Sequence, residues 1–318
     1  MNTGNIVSRW FRTSVIASYV PVIGLWLAAA VLAEVAIWRS VPAGVHNIAR
    51  SLAPSFIFAG FIALAPAVST SSRKLRLTRF LGAEFMTGQV VFACPRFELR
   101  PHLATALPED RASWYQPHGR RFTNIERRID LPVALASHDV DALMLVSDLL
   151  PRAAGSIQIW DASRIEDLSR MSYIGIGLRS NECVFMYIRS SRTPLFSLLP
   201  ENQPDYIELA NGMQLSANSD RSWGLIVRHF PDEINPNRRW LLCSGLGASG
   251  TPAAAWYLRS RWRLIYNRVR RDSDFVVAVS CHPEVPYAPR VECVLSVQDD
   301  EIVDITESFQ SGGSVRKW

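Results

Sequence analysis

Paired cysteines and recognisable catalytic motifs are both missing from this sequence. The five cysteines stand apart, none of them in a Cys-x-x-Cys pair, and their number is odd. This pattern argues against a disulfide framework and against a zinc site, and it fits a reducing compartment. The chain also contains no His-Glu-x-x-His, no Gly-x-Ser-x-Gly and no P-loop sequence, and its six histidines are scattered. These absences favour a protein that is not an enzyme, although residues far apart in sequence can still meet in space.

Acidic residues are almost absent from the first 80 positions. That segment holds eight basic residues and one acid, Glu34, whereas the rest of the chain holds 26 basic and 28 acidic residues. The net charge of +5 therefore comes from the amino-terminal segment. A nucleic-acid-binding domain is expected to be basic itself, so we expect no nucleic-acid partner.

Two long apolar runs occupy this basic segment. The first covers residues 15–38, with Glu34 as its one charge, and the second covers residues 52–68 and can be extended to 48–70. About 20 apolar residues cross a bilayer, so we predict a two-helix transmembrane hairpin within residues 1–80, with its turn at 40–47. A cleaved signal peptide is the alternative for the first run, but this run is longer than a signal-peptide core and a second run follows it.

The placement of arginine and lysine predicts the orientation of the hairpin. Two arginines precede the first run and four basic residues follow the second, against two arginines that flank the turn. By the positive-inside rule, both termini lie in the cytoplasm. The chain has 32 arginines and two lysines, a bias typical of GC-rich bacterial genomes. We therefore expect the inner membrane of a bacterium, with the lipid bilayer as partner and the transmembrane helices as a surface for homo-oligomers.

Strand-like and helix-like segments alternate through residues 81–305, which predicts a cytoplasmic Rossmann-like α/β domain with a mixed sheet. Asn211-Gly212 between two apolar runs predicts a hairpin in which both turn residues adopt positive φ. We expect Asp161 to cap a helix that runs to about Met171, and Thr251 to cap a long helix. Residues 306–318 are expected to form a flexible tail.

The first candidate ligand loop is a glycine-rich turn between a strand and this long helix. Residues 245–251 read Gly-Leu-Gly-Ala-Ser-Gly-Thr, a complete Gly-x-Gly-x-x-Gly. Glycines let a backbone approach a phosphate, and the free N–H groups at a helix start attract an anion. Binding of a nucleotide or dinucleotide cofactor and tight packing of strand against helix both explain the pattern. The residues that would contact the ligand are Gly245, Gly247, Ser249, Gly250 and Thr251.

A second loop with similar chemistry follows an earlier strand. Residues 175–181 read Gly-Ile-Gly-Leu-Arg-Ser-Asn. Arg179 can bind a phosphate through two hydrogen bonds, whereas Ser180 and Asn181 can either contact a ligand or cap a helix that begins at Glu182. Loops at the ends of neighbouring strands share one crevice in open α/β sheets, so the two loops can form one site. The candidate residues here are Gly175, Gly177, Arg179, Ser180 and Asn181.

Four segments of the soluble part carry a resemblance to a protein family. They read IGIGLRSN at 174–181, RSWGLIVRHF at 221–230, INPNRRW at 234–240 and GLGASGTPAAAWYL at 245–258. Over roughly residues 90–300 the chain resembles an uncharacterised bacterial family with a Rossmann-like α/β domain. The resemblance implies one such module rather than two separate domains, and it implies no activity.

An anchor combined with glycine loops and no catalytic motif favours a sensor or effector. On this hypothesis the cytoplasmic domain binds a nucleotide-like or other anionic small molecule and signals to the membrane segment. Two alternatives stay open. One is a membrane-tethered enzyme that acts on a nucleotide or nucleoside, and the other is an interaction module whose glycines serve packing alone.

Overall fold

The computed structural model describes residues 19–20, 22–35, 37, 42–82, 84–87, 90–95, 97–98, 133–150, 156–198, 206–231, 235 and 237–310. The chain divides into two compact units, Met1–Thr87 and Gly88–Trp318. This division falls seven residues after the boundary expected from the sequence, because a short helix follows the long one.

The first unit contains a helical hairpin. Its elements are α1 (Val22–Val35), α2 (Ala43–Leu81) and the single turn α3 (Glu84–Thr87). The Trp26 indole packs edge-to-face on Phe61, with ring centroids 5.3 Å apart, and leaves no room for a Cβ at Gly60. The glycine therefore lets α1 and α2 approach each other closely.

The length of α2 exceeds what a bilayer requires. Its 39 residues span about 58 Å at 1.5 Å per residue, against ~30 Å for the hydrocarbon core. Among the described residues, the segment Asn47–Leu81 is long and apolar enough to cross a membrane, by length and composition, whereas Val22–Val35 is apolar but shorter. The two-span hairpin and its orientation therefore stay predictions.

The second unit contains thirteen described strands in three sheets. In chain order they are β1 (Val90–Cys94), β2 (Phe97–Glu98), β3 (Val133–Ala134), β4 (Ile157–Asp161), β5 (Tyr173–Ile176), β6 (Phe196–Leu198), β7 (Tyr206–Leu209), β8 (Gln214–Ser216), β9 (Ser222–His229), β10 (Trp240–Leu246), β11 (Phe275–His282), β12 (Val285–Gln298) and β13 (Glu301–Asp304).

The main sheet has eight strands in the order β13-β12-β11-β9-β10-β5-β1-β4. β4, β1, β5 and β10 run parallel, whereas β9, β11, β12 and β13 pair antiparallel with their neighbours, so the expected mixed sheet is confirmed. β5, β9, β10 and β11 lie inside the sheet and are buried along almost their whole length. Strands covered on both faces need apolar residues throughout, which explains their continuous apolar sequences.

Helices and a small sheet cover the two faces. The helices are α4 (Ser137–Ser147), α5 (Ile165–Leu168), α6 (Glu182–Ser190), α7 (Gly250–Arg268) and α8 (Thr306–Gln310). On one face, Tyr187 of α6 and the β6-β7-β8 sheet join the core cluster with Leu225 and Leu242. On the other face α7 packs on β9 and β10, and its Ala254 lies directly over Gly224.

Three expectations about local structure need correction. The hairpin at Asn211-Gly212 forms, but only Gly212 has positive φ, at +84°. Asp161 does not cap a long helix, because its carboxylate accepts the Ser163 N–H and α5 covers only Ile165–Leu168. The tail expected at 306–318 begins with α8, whose Phe309 is buried, and residues 311–318 lie outside the described residues.

Candidate functional site

The two glycine loops lie side by side at the carboxyl-terminal edge of the main sheet, where its parallel strands end. β5 and β10 are parallel neighbours, with Ile176 opposite Cys243, so their carboxyl ends meet at this edge. The Gly177 N–H donates to the Cys243 carbonyl at 3.1 Å, and the Ser244 hydroxyl donates to the Gly177 carbonyl at 2.8 Å. The structure thus brings the two sequence-predicted loops together.

Two glycines of the first loop are explained by packing. A Cβ on Gly245 would collide with the backbone of Gly250 and Thr251, and a Cβ on Gly250 would collide with the Trp223 carbonyl. The Ser249 hydroxyl is also engaged, since it donates to the Pro283 carbonyl at 2.5 Å. The helix begins at Gly250 with Ser249 in the cap position, so Thr251 is not the cap.

Gly247 is the glycine of this loop that stays exposed. Its φ is +83°, a conformation that glycine adopts at no steric cost. A Cβ at this position would lie 2.7 Å from the Ser222 hydroxyl oxygen. That hydroxyl is buried and has no hydrogen-bond partner in the described part of the chain. The backbone at Gly247 is therefore open to a ligand on one side and closely packed on the other.

Asn181 of the second loop has a structural role. Its side chain is fully buried, and its amide donates to the carbonyls of Ala93 at 2.9 Å and Ile176 at 2.7 Å. Its Oδ1 accepts the Cys183 N–H at 2.9 Å, which makes it the N-cap of α6. Asn181 therefore ties β1 and β5 to the helix and has no amide group left for a ligand.

The other residues of the second loop divide in the same way. Gly175 is packed, since a Cβ would lie 2.7 Å from the Leu242 side chain. Gly177 has φ +101°, Ser180 is exposed and Arg179 is half-buried. Arg179 and Ser180 therefore form the accessible part of the loop, whereas Gly177 is buried.

Asp139 is a residue of this edge that the sequence did not single out. It lies in the first turn of α4, is 7% exposed, and has its Oδ1 3.6 Å from where a Cβ on Gly177 would be. Burial raises the pKa of its carboxyl group, an effect that the neighbouring His138 partly opposes. Within the described residues its carboxylate accepts no hydrogen bond. The sequence Ser-His-Asp at a helix start gave no signal beyond ordinary helix-start polar residues.

Asp139 lies beside the carboxyl ends of β1 and β5, between which the chain connections diverge. β1 connects through α4 to β4, its neighbour in the sheet. β5 connects to β10, its neighbour on the side away from β1. Open α/β sheets bind their ligands at such a switch point, outside the carboxyl ends of the strands. Gly177 and Asp139 both border this position.

A cavity of about 630 Å³ lies at the opposite edge of the sheet, where its parallel strands begin. The sequence did not predict this cavity. It is lined by His229 at the end of β9 and by Asp274 just before β11. The two side chains form a pair, with His229 Nδ1 2.5 Å from Asp274 Oδ2. The Phe230 N–H donates to Asp274 Oδ1 at 2.9 Å. Antiparallel pairing of β9 with β11 brings these residues together from 45 positions apart.

Buried side chains pack against the residues that line this cavity. The ring of Tyr187 packs edge-on against His229 at 5.1 Å between centroids, and its hydroxyl accepts the Leu195 N–H. Arg228 donates to the carbonyls of Arg270 and Ser273, which fixes the segment before β11. Burial, chiefly, lowers the pKa of Arg228 to about 9.

No group of three or more potential metal ligands occurs among the described residues. The chain matches no family model, no curated protein and no solved structure. The resemblance to an uncharacterised family therefore stays an expectation from the sequence.

Proposed function

We propose that this protein is a membrane-anchored sensor or effector whose α/β unit binds a nucleotide-like anion at the switch point between β1 and β5. The observation that carries the proposal is that the two glycine loops are neighbours, and that one of them, at Gly177, lies beside the buried Asp139 carboxylate next to that switch point. The ligand would contact Gly177 and Ser180 of one loop and Gly247 of the other. Asn181, Gly175, Gly245 and Gly250 would shape the loops without contacting it.

Backbone donors support an anionic ligand. In the described part of the chain, the N–H groups of Leu178, Ser180, Ala248 and Ser249 donate to no backbone carbonyl. Free N–H groups of this kind, close to the first turns of α6 and α7, attract an anion, and the helix dipoles add to the attraction. Arg179 lies in the same loop and can add a charge-assisted hydrogen bond.

Asp139 supports a ligand that also carries hydroxyl or amino groups. A buried carboxylate without hydrogen bonds is costly, and a ligand donor would relieve that cost. In dinucleotide-binding folds an acidic side chain binds a ribose hydroxyl. A phosphate on the loops together with a sugar at Asp139 describes a nucleotide better than it describes inorganic phosphate.

The link to the membrane rests on α2. If residues 48–70 cross the bilayer, the last 11 residues of this helix, 71–81, extend about 16 Å beyond it as one continuous helix. A helix of this length can transmit a change in the α/β unit to the transmembrane segment. The alternative of a nucleotide-processing enzyme gains less support, because the His229–Asp274 pair lies at the other edge of the sheet.

The experiment is a thermal-shift screen of the full chain in detergent micelles against mono-, di- and cyclic nucleotides and dinucleotide cofactors. A ligand at about 100 times its Kd should stabilise the protein by about 2.7 kcal/mol. Asp139→Asn should reduce the shift, whereas Asp141→Asn, an exposed carboxylate on the same helix, should leave it unchanged. Gly247→Val should abolish it. If no nucleotide stabilises the wild-type protein, the interaction-module alternative becomes the better account.

A further inference from the structure

The helical hairpin of the first unit carries a groove on its surface. The groove measures about 590 Å³ and is lined by residues of both arms of the hairpin. Of the described residues that line it, seven are apolar and the eighth is Arg50. The large apolar side chains of this lining are open to the surroundings, since Ile37 is 73% and Phe58 is 67% exposed. The groove is therefore an accessible apolar surface with a single charged group.

Arg50 lies at one end of this groove and is not neutralised by the protein. It is exposed, and within the described chain it makes no hydrogen bond and no ion pair. Glu34, the one acid among the first 80 residues, does not line the groove and makes no ion pair with Arg50. The Arg50 guanidinium can therefore bind an anionic group at the end of an otherwise apolar surface.

The length of the groove matches one acyl chain of a lipid. From Arg50 to Phe61, α2 rises about 16 Å at 1.5 Å per residue. One leaflet contributes half of the ~30 Å hydrocarbon core, or about 15 Å. If residues 48–70 cross the bilayer, as the sequence predicts, Phe61 lies near the bilayer centre and the Arg50 side chain reaches the headgroup level. The groove then runs from the headgroups to the chain ends of one leaflet.

We propose that this groove binds an anionic glycerophospholipid, with one acyl chain along the apolar residues and the phosphate on Arg50. The lipid site rests on the membrane anchor of the proposed function and needs no nucleotide. A second copy of the hairpin fits the groove less well, because close helix–helix contacts in membranes use small residues, whereas Ile57, Phe58 and Phe61 line this surface.

Native mass spectrometry of the full chain, released from detergent micelles, tests the headgroup. Dioleoyl phosphatidylglycerol would be compared with dioleoyl phosphatidylcholine, which has the same acyl chains and no net charge. An arginine beside an anionic lipid contributes about 1 kcal/mol, which is about fivefold in affinity. We therefore expect the first phosphatidylglycerol to bind about fivefold more tightly than phosphatidylcholine.

Arg50→Gln should remove this preference, whereas Arg79→Gln, in the last turn of α2, should keep it. Both side chains are exposed, so we expect both variants to fold. Equal binding of the two lipids by the wild-type chain, or an unchanged preference in Arg50→Gln, would overturn the proposal.

Filling the groove tests the place of the acyl chain. Ala33 is exposed and lines the groove, whereas Ala30 is exposed on the same helix and does not line it. Ala33→Phe should weaken the binding of phosphatidylglycerol about tenfold, since an added ring overlaps the chain, and Ala30→Phe should bind as the wild type does. Wild-type binding by Ala33→Phe would contradict the site.

Other outcomes identify what fails. A dimer that both Arg50→Gln and Glu34→Gln dissociate would mean that a second hairpin fills the groove, which overturns the lipid site. A chain that stays soluble without detergent would refute the membrane anchor and the lipid site together. Equal binding of the two lipids with a normal nucleotide thermal shift would refute the lipid site alone.

Discussion

Replacing Asn181 with alanine should lower the free energy of unfolding of the α/β unit by about 3–7 kcal/mol. The side chain is fully buried and makes three hydrogen bonds, to Ala93, Ile176 and Cys183, with lengths of 2.7–2.9 Å. A buried backbone group that loses its partner costs about 1–3 kcal/mol, and loss of an N-cap costs about 1 kcal/mol. Two unpaired carbonyls and one lost cap give the stated range.

Urea titration of the full chain at constant detergent concentration, followed by tryptophan fluorescence, measures this change. The matched control is Asn218→Ala, because Asn218 also accepts a backbone N–H, from Asp220, but in an exposed loop. We expect the control to stay within about 0.5 kcal/mol of the wild type. The structural role of Asn181 is refuted if Asn181→Ala unfolds at the wild-type urea midpoint and instead loses nucleotide binding, since Asn181 would then be a ligand contact.

Three further predictions concern other positions. Gly245→Ala should lower the free energy of unfolding by more than about 3 kcal/mol or prevent folding, because its Cβ would collide with the Thr251 backbone. Gly212→Ala, at positive φ but in open space, should lower it by about 1–2 kcal/mol. Expression yield and urea midpoints compare the two variants. Burial raises the pKa of Asp139, so the native carboxylate is charged at a cost at neutral pH. Asp139→Asn should therefore unfold at a higher urea concentration at pH 7, and its advantage should shrink as the pH falls towards about 3.9, the unfolded-state pKa. Phe309→Ala should lower the free energy of unfolding by about 3 kcal/mol. An unchanged urea midpoint would mean that α8 contributes nothing to the core.

Elements with a strong local signal could be predicted from the sequence. The buried strands read as apolar runs because both of their faces are covered, and the hairpin at Gly212 forms because glycine permits its positive φ. The prediction that Asp161 caps a long helix was wrong because an aspartate carboxylate can accept a nearby N–H in a tight turn as well as at a helix start. The helix α8 carries only one buried apolar side chain, Phe309, which is too little for a periodic pattern.

The positions of the two loops between a strand and a helix could be predicted, but which of their residues are packed and which stay exposed could not. Glycine in a strand–helix turn serves a ligand or close packing, and only the position of the Trp223 carbonyl against Gly250 distinguishes the two. Asp139 becomes notable because it lies beside Gly177, 38 positions away in sequence. The pair of His229 and Asp274 likewise depends on strand pairing over 45 positions. Such contacts follow from strand order, which local sequence patterns do not encode.

Hydrogen exchange on the full chain in nanodiscs tests the central claim most directly. Amide exchange would be compared with and without the nucleotide that gives the largest thermal shift. We expect slower exchange at residues 177–180 and 247–250, with residues 297–300 at the opposite edge unchanged. Protection confined to residues 297–300 and 190–193, or no protection anywhere, would contradict the proposal that the switch point between β1 and β5 is the nucleotide site.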